Sequence, residues 1–159
     1  MDLFDIAIKL EQEGAQLYKE LAKKAPTEGF ATIFNMLAID EKKHESYFRA
    51  LQGKSALVTV NSTVLEQAKQ VFKAFDPENF AMTDGQIPAY EEALAVEMKS
   101  IDFYSEQLSS LEFEAEKKAL SQIISEEKRH YAILEEMLKL VTRPHRWVES
   151  AEFGVREEY

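Results

Sequence analysis

Apolar residues recur at helical spacing along four long stretches of the chain, the mark of amphipathic helices. The first stretch runs from about Leu3 to Ala25 and sets Phe4, Ile8, Ala15, Tyr18 and Leu21 on one broad face. The second, from about Thr27 to Leu51, aligns Phe30, Ile33, Phe34, Leu37 and Phe48. The third, from about Ile87 to Leu111, aligns Ala93, Ile101, Tyr104 and Leu108. The fourth, from about Phe113 to Val141, aligns Leu120, Ile123, Ile124, Ile133 and Met137. Pro26 separates the first two; proline suits a helix's first turn but not its interior. Ser109-Ser110 separates the last two. Such short joins make two antiparallel αα-hairpins.

Between the hairpins lies a longer connection, about Gln52 to Gln86. It holds a shorter helix, predicted over Thr63 to Phe75, and then the breakers Asp76-Pro77 and Asp84-Gly85. Structureless loops of this length are uncommon in compact domains, so the connection is expected to run the length of a bundle. The predicted fold is thus all-α: a four-helix bundle of two hairpins joined by a long crossover containing a short helix. The bundle is expected over residues 1–141. Arg143-Pro144 then stops the last helix. The aromatic tail over 142–159, with Trp147, Phe153 and Tyr159, is expected to cover the bundle or a partner subunit.

Polar residues interrupt the apolar stripes in a pattern that occurs twice. Glu11, Tyr18, Glu41 and His44 are answered, each 86 positions later, by Glu97, Tyr104, Glu127 and His130. The run Asp40-Glu41-Lys42-Lys43-His44 matches Glu126-Glu127-Lys128-Arg129-His130. Residues equidistant from a hairpin turn lie level with each other. Glu11 and Glu41 are centred on Pro26, and Glu97 and Glu127 on Glu112, so the two pairs face each other at mid-bundle. Glu and His three apart share a helix face. A bare carboxylate on an apolar stripe costs several kcal/mol. Two divalent cations would offset four such charges, and carboxylates bridge two metals through their two oxygens. This set is the ligand inventory of a carboxylate-bridged two-metal centre in a four-helix bundle. One imidazole per metal favours iron or manganese over magnesium.

Helices are rich in Glu, and 23 of the 159 residues are Glu. Two histidines would each have a Glu three residues earlier by chance with a probability of roughly 0.02. The common offset of all eight residues takes the pattern well beyond that. Tyr18 and Tyr104 lie two turns past Glu11 and Glu97 and are expected to hydrogen-bond a ligand carboxylate. His145 has no Glu at that spacing, follows a proline and is read as a tail residue.

Composition narrows the remaining possibilities. A net charge of -10 argues against nucleic acid as a partner. With no cysteine, there are no disulfides, thiolate metal sites or iron–tetracysteine electron-transfer site in this sequence. No apolar run approaches the ~18 residues of a membrane span. The start lacks the basic region of a signal peptide, so a cytoplasmic location is expected.

The Glu-x6-Tyr and Glu-x-x-His elements, over roughly residues 3 to 141, resemble the rubrerythrin branch of the ferritin-like diiron-carboxylate proteins. The resemblance implies two irons per chain bridged by Glu41 and Glu127, with manganese or zinc possible in a purified sample. Glu11 and His44 would complete one iron, and Glu97 and His130 the other. It also implies a homodimer that reduces hydrogen peroxide or dioxygen. Electrons would come from a separate donor such as rubredoxin, since the sequence carries no rubredoxin domain. Iron handling, or a metal-stabilised helical module without catalysis, are the alternatives. One departure stands out. Classical members carry a further Glu three residues after the third-helix ligand, where this chain has Ser100; the symmetry mate of Ser100 is Gly14. Two small residues there are expected to leave open space beside the irons.

Overall fold

The computed structural model describes residues 2–53, 62–76 and 85–142. The aromatic tail, apart from Thr142, lies outside them, as do His145 and the breakers Pro77 and Asp84. Five helices form among the described residues: α1 (Leu3–Lys23), α2 (Glu28–Gln52), α3 (Val64–Lys73), α4 (Gln86–Leu108) and α5 (Glu114–Thr142). The all-α bundle with its crossover helix is thus the observed fold. The helices differ from the predicted stretches by a few residues at their ends, where capping groups decide.

Asp2 opens α1 with a reciprocal cap: its side chain accepts from the Asp5 backbone, and the Asp5 side chain accepts from Asp2 N–H. Thr27, just after Pro26, caps α2 by accepting from Phe30 N–H. Gly85, at φ +88°, takes the left-handed conformation that turns the chain into α4. Pro88 follows within the first turn, where its missing N–H is no loss.

The core consists of two apolar slabs. One is built around Tyr18, Phe30, Phe34, Phe72, Tyr90 and Met137, at the end where α1 meets α2. The other is built around Ala7, Phe48, Tyr104, Leu120 and Ile123, at the opposite end. Each fully buried Leu, Ile or Phe contributes about 1.5–3 kcal/mol. The slabs also show the topology. α1 and α5 end in the first slab, whereas α2 and α4 begin there. After α2 the chain is therefore at the wrong end for α4. At 1.5 Å per residue it must travel back over about 37 Å, which is why the crossover is long. α3, within that crossover, packs against α2 and α5 through Val64, Ala68 and Phe72.

Gly29 sets how closely α3 lies on α2. A Cβ built there would stand 2.7 Å from Val71 Cγ1. Ala normally stabilises a helix relative to Gly by about 1 kcal/mol. Here the sign is expected to reverse, with Gly29→Ala costing about 1–2 kcal/mol in urea unfolding. In a Gly29→Ala, Val71→Ala double variant the loss should be smaller than the two single losses added.

Candidate metal centre

Between the apolar slabs lies a single layer of ionisable side chains. Glu11 comes from α1, Glu41 and His44 from α2, Glu97 from α4, and Glu127 and His130 from α5. All six are at most 1 % exposed. They fall into two groups, Glu11–Glu41–His44–Glu127 and Glu41–Glu97–Glu127–His130, each with its ligand atoms within 4.8 Å of one another. Glu41 and Glu127 belong to both groups. His44 Nδ1 lies 3.0 Å from Glu11 Oε1 and 3.0 Å from Glu127 Oε1. His130 Nδ1 lies 3.1 Å from Glu41 Oε1 and 3.1 Å from Glu97 Oε2. The two imidazole rings face each other nearly parallel, with centroids 6.0 Å apart.

The outward nitrogens have their own partners. His44 Nε2 contacts Glu126 Oε1 at 2.9 Å, and His130 Nε2 contacts Asp40 Oδ2 at 2.9 Å. An ionised carboxylate only accepts, so Nε2 carries the hydrogen and Nδ1 can present a lone pair to the cluster once it loses its proton. The exchange is reciprocal: α2 orients the histidine of α5, and α5 that of α2. Sequence reasoning assigned no role to Asp40 or Glu126. The signal was available, since each acid sits directly before a repeated Glu and four residues before a repeated His, on the same helix face.

The two tyrosines differ. Tyr104 Oη donates to Glu11 Oε2 at 2.5 Å, so it supports the ligand of the other hairpin. Tyr18 Oη, also buried, has no partner at hydrogen-bond geometry, but it faces the Glu97 carboxylate: burial, with the charges of Glu97 and Glu41, holds this phenol well above its ordinary pKa. The same carboxylate lies 3.1 Å from His130 Nδ1 through its Oε2. The open space expected at Gly14 is absent too. A Cβ on Gly14 would stand 3.2 Å from Glu41 Oε2, so the glycine is where that carboxylate passes against α1. Ser100 is buried on α4, one turn from Glu97.

The donor set fits a pair of divalent cations. Both Glu127 oxygens are buried without a hydrogen-bond partner, although Oε1 is close to His44 Nδ1; the imidazole donates to Glu11 instead. Leaving such oxygens unsatisfied is costly, and a bridging cation would satisfy both. Without metal, protons perform this role. Burial pushes Glu41 well above the carboxylate range, and the charges of Glu11, Glu127 and Glu97 push it further. Burial, with the charges of Glu11 and Glu97, raises Glu127 to about 8 against the pull of His44. Burial alone would lower both imidazoles. Glu11 outweighs it for His44, and Asp40 and Glu97 outweigh it for His130, so both rise well above their ordinary value. Burial also acts upward on Glu11, but Glu41, His44 and Tyr104 together hold that carboxyl below its usual value.

This arrangement defines a ferritin-like bundle of the diiron-carboxylate class. The Rubrerythrin family model matches residues 2–138. The chain belongs to the rubrerythrin family, whose members typically bind iron and are in general linked to oxidative stress. No curated protein and no solved structure gives a significant match. No helix among the described residues is long and apolar enough to cross a membrane.

Two predictions arise from the geometry. Near pH 7 the metal-free site holds protons on Glu41, Glu127, His44 and His130, so loading two divalent ions should release about four protons. Calorimetry in buffers of different ionisation enthalpy measures this. The raised groups also make the folded metal-free chain bind more protons than the unfolded chain. Its stability should therefore fall as pH rises from about 6 to about 8. A melting temperature of the chelated protein that rises over that interval would contradict the assignment. The second prediction concerns Gly14→Ala. It should raise the metal-free stability by up to about 1 kcal/mol through helix propensity. It should also displace Glu41 and weaken metal binding about tenfold. Thermal melts with and without metal separate the two effects.

Proposed function

We propose that the protein is a diiron oxidoreductase that reduces hydrogen peroxide or dioxygen with electrons from an external donor. The carrying observation is that Glu41 and Glu127 each belong to both ligand groups, an arrangement that could hold two metal ions side by side. Glu11 and His44 would complete one ion, Glu97 and His130 the other. Two ferrous ions, if bound there, would supply two electrons, the number that with two protons cleaves the O–O bond of hydrogen peroxide to two waters or reduces dioxygen to hydrogen peroxide.

The chain's own residues hold, orient and insulate. The apolar slabs keep bulk water away from both ends of the layer, which strengthens every electrostatic contact inside it. Asp40 and Glu126 fix the imidazole rings. Tyr104 fixes Glu11 and keeps its own proton: burial and the charges of Glu11 and Glu127 raise its pKa well above the ordinary value. A proton donor is thus held at Tyr104 Oη beside a ligand carboxylate. The proposal includes a cytoplasmic homodimer and a separate donor protein of the rubredoxin type.

Ser100 favours a second reading, iron handling, in which excess Fe(II) is oxidised at the same centre. It places a short hydroxyl one turn from Glu97, where classical relatives have a carboxylate. Stopped-flow re-oxidation of the diferrous protein distinguishes the two. For an oxidoreductase acting on peroxide, the native chain should react with peroxide faster than with dioxygen. Ser100→Glu, which adds a carboxylate on the same helix face, should raise the peroxide rate by about tenfold. A native chain that prefers dioxygen and turns over excess Fe(II) replaces the first reading with the second.

A further inference from the structure

Resting on the metal centre proposed above, we infer that Ser62 is a positioning residue for His130, acting through Asp40, and that it makes the two metal positions unequal. Ser62 lies just before α3, where the crossover reaches mid-bundle. Its hydroxyl donates to Asp40 Oδ2 at 2.5 Å, the oxygen that also accepts from His130 Nε2 at 2.9 Å. Val64 N–H, at the start of α3, donates to Ser62 Oγ at 3.2 Å. A continuous chain of hydrogen bonds thus runs from a backbone amide, through a hydroxyl and a carboxylate, to a ligand imidazole. The amide holds the hydroxyl, the hydroxyl holds the carboxylate, and the carboxylate sets the ring angle.

Two further observations give Ser62 a specific task. A cavity of about 20 Å³, lined by Ser62, Glu126, Arg129 and His130 among others, adjoins the same contact. It has room for about one water molecule. Water there can compete for Asp40 and for the Nε2 hydrogen of His130, and the Ser62 hydroxyl fills the competing position. The second observation is an asymmetry. Among the described residues His44 is the only hydrogen-bond donor to Glu126. The repeat therefore supplies both metal positions with the same ligands and a matching outer acid, but among the described residues the crossover reinforces only the acid that holds His130.

The test uses cobalt(II) as the probe metal, because high-spin cobalt shifts ligand imidazole N–H protons far outside the ordinary NMR range. The full-length chain loaded with cobalt should show two such exchangeable resonances, one for each histidine. Glu126→Gln should move the resonance of His44 and so identify it. In Ser62→Ala the His130 resonance should exchange with solvent about tenfold faster while that of His44 is unchanged. Cobalt affinity at one position should fall by about tenfold, the lower end of the range for outer partners of a ligand. Ser62→Thr keeps the hydroxyl and should restore the slow exchange. Ser62→Cys, a weaker donor of similar size, should give an intermediate rate. Exchange unchanged at both resonances in Ser62→Ala, or accelerated equally at both, overturns the role of Ser62. Absence of both shifted resonances from the native cobalt-loaded protein overturns the metal centre itself, and the role of Ser62 with it.

Discussion

Everything in this bundle is arranged around four carboxylates that have been taken out of water and placed together. Glu11, Glu41, Glu97 and Glu127 converge between two apolar slabs that offer them no solvation. Mutual repulsion and desolvation both act against that placement. The layer is compatible with a stable fold only if positive charge enters it, as protons or as metal ions. The same demand explains why each imidazole points inward with one nitrogen and is held from outside by another acid.

The repeat solves the problem of delivery. Each hairpin carries one Glu on its first helix and a Glu-x-x-His on its second, level with each other about the turn. Two such hairpins facing each other bring the six residues to one height. The crossover lets the second hairpin start at the correct end. It also does more than connect, because α3 packs on α2 and α5 and Ser62, just before it, reaches the outer side of the centre through Asp40.

Much of this was legible in the sequence because it depends on periodicity and spacing. The helices, the hairpins, the crossover and the meeting of Glu11, Glu41, His44, Glu97, Glu127 and His130 follow from apolar stripes and a constant offset. What could not be read depends on side-chain torsions across the bundle. Tyr18 and Tyr104 are equivalent in the repeat, yet only Tyr104 closes a hydrogen bond, to Glu11, which also accepts from His44, whereas Tyr18 faces Glu97 without closing one. Gly14 suggested empty space, but a missing side chain leaves a void only if no neighbour fills it, and Glu41 does. Asp40 and Glu126 could be singled out by their place in the repeat, but not their partners. Their reach to the opposite histidine is a property of how α2 and α5 pack rather than of either helix alone.

The sharing of Glu41 and Glu127 has a consequence for the lifetime of the folded molecule. Each metal position would draw ligands from both halves of the chain, so a bound pair of ions would act as a clasp between hairpins distant in sequence. The hairpins could then not part until several coordination bonds had opened at once. Equilibrium stability and the rate of unfolding would respond differently to such a clasp, and the rate would follow the slow escape of the ions. In a cell, metal supply would then govern how long each molecule persists as well as how many are active.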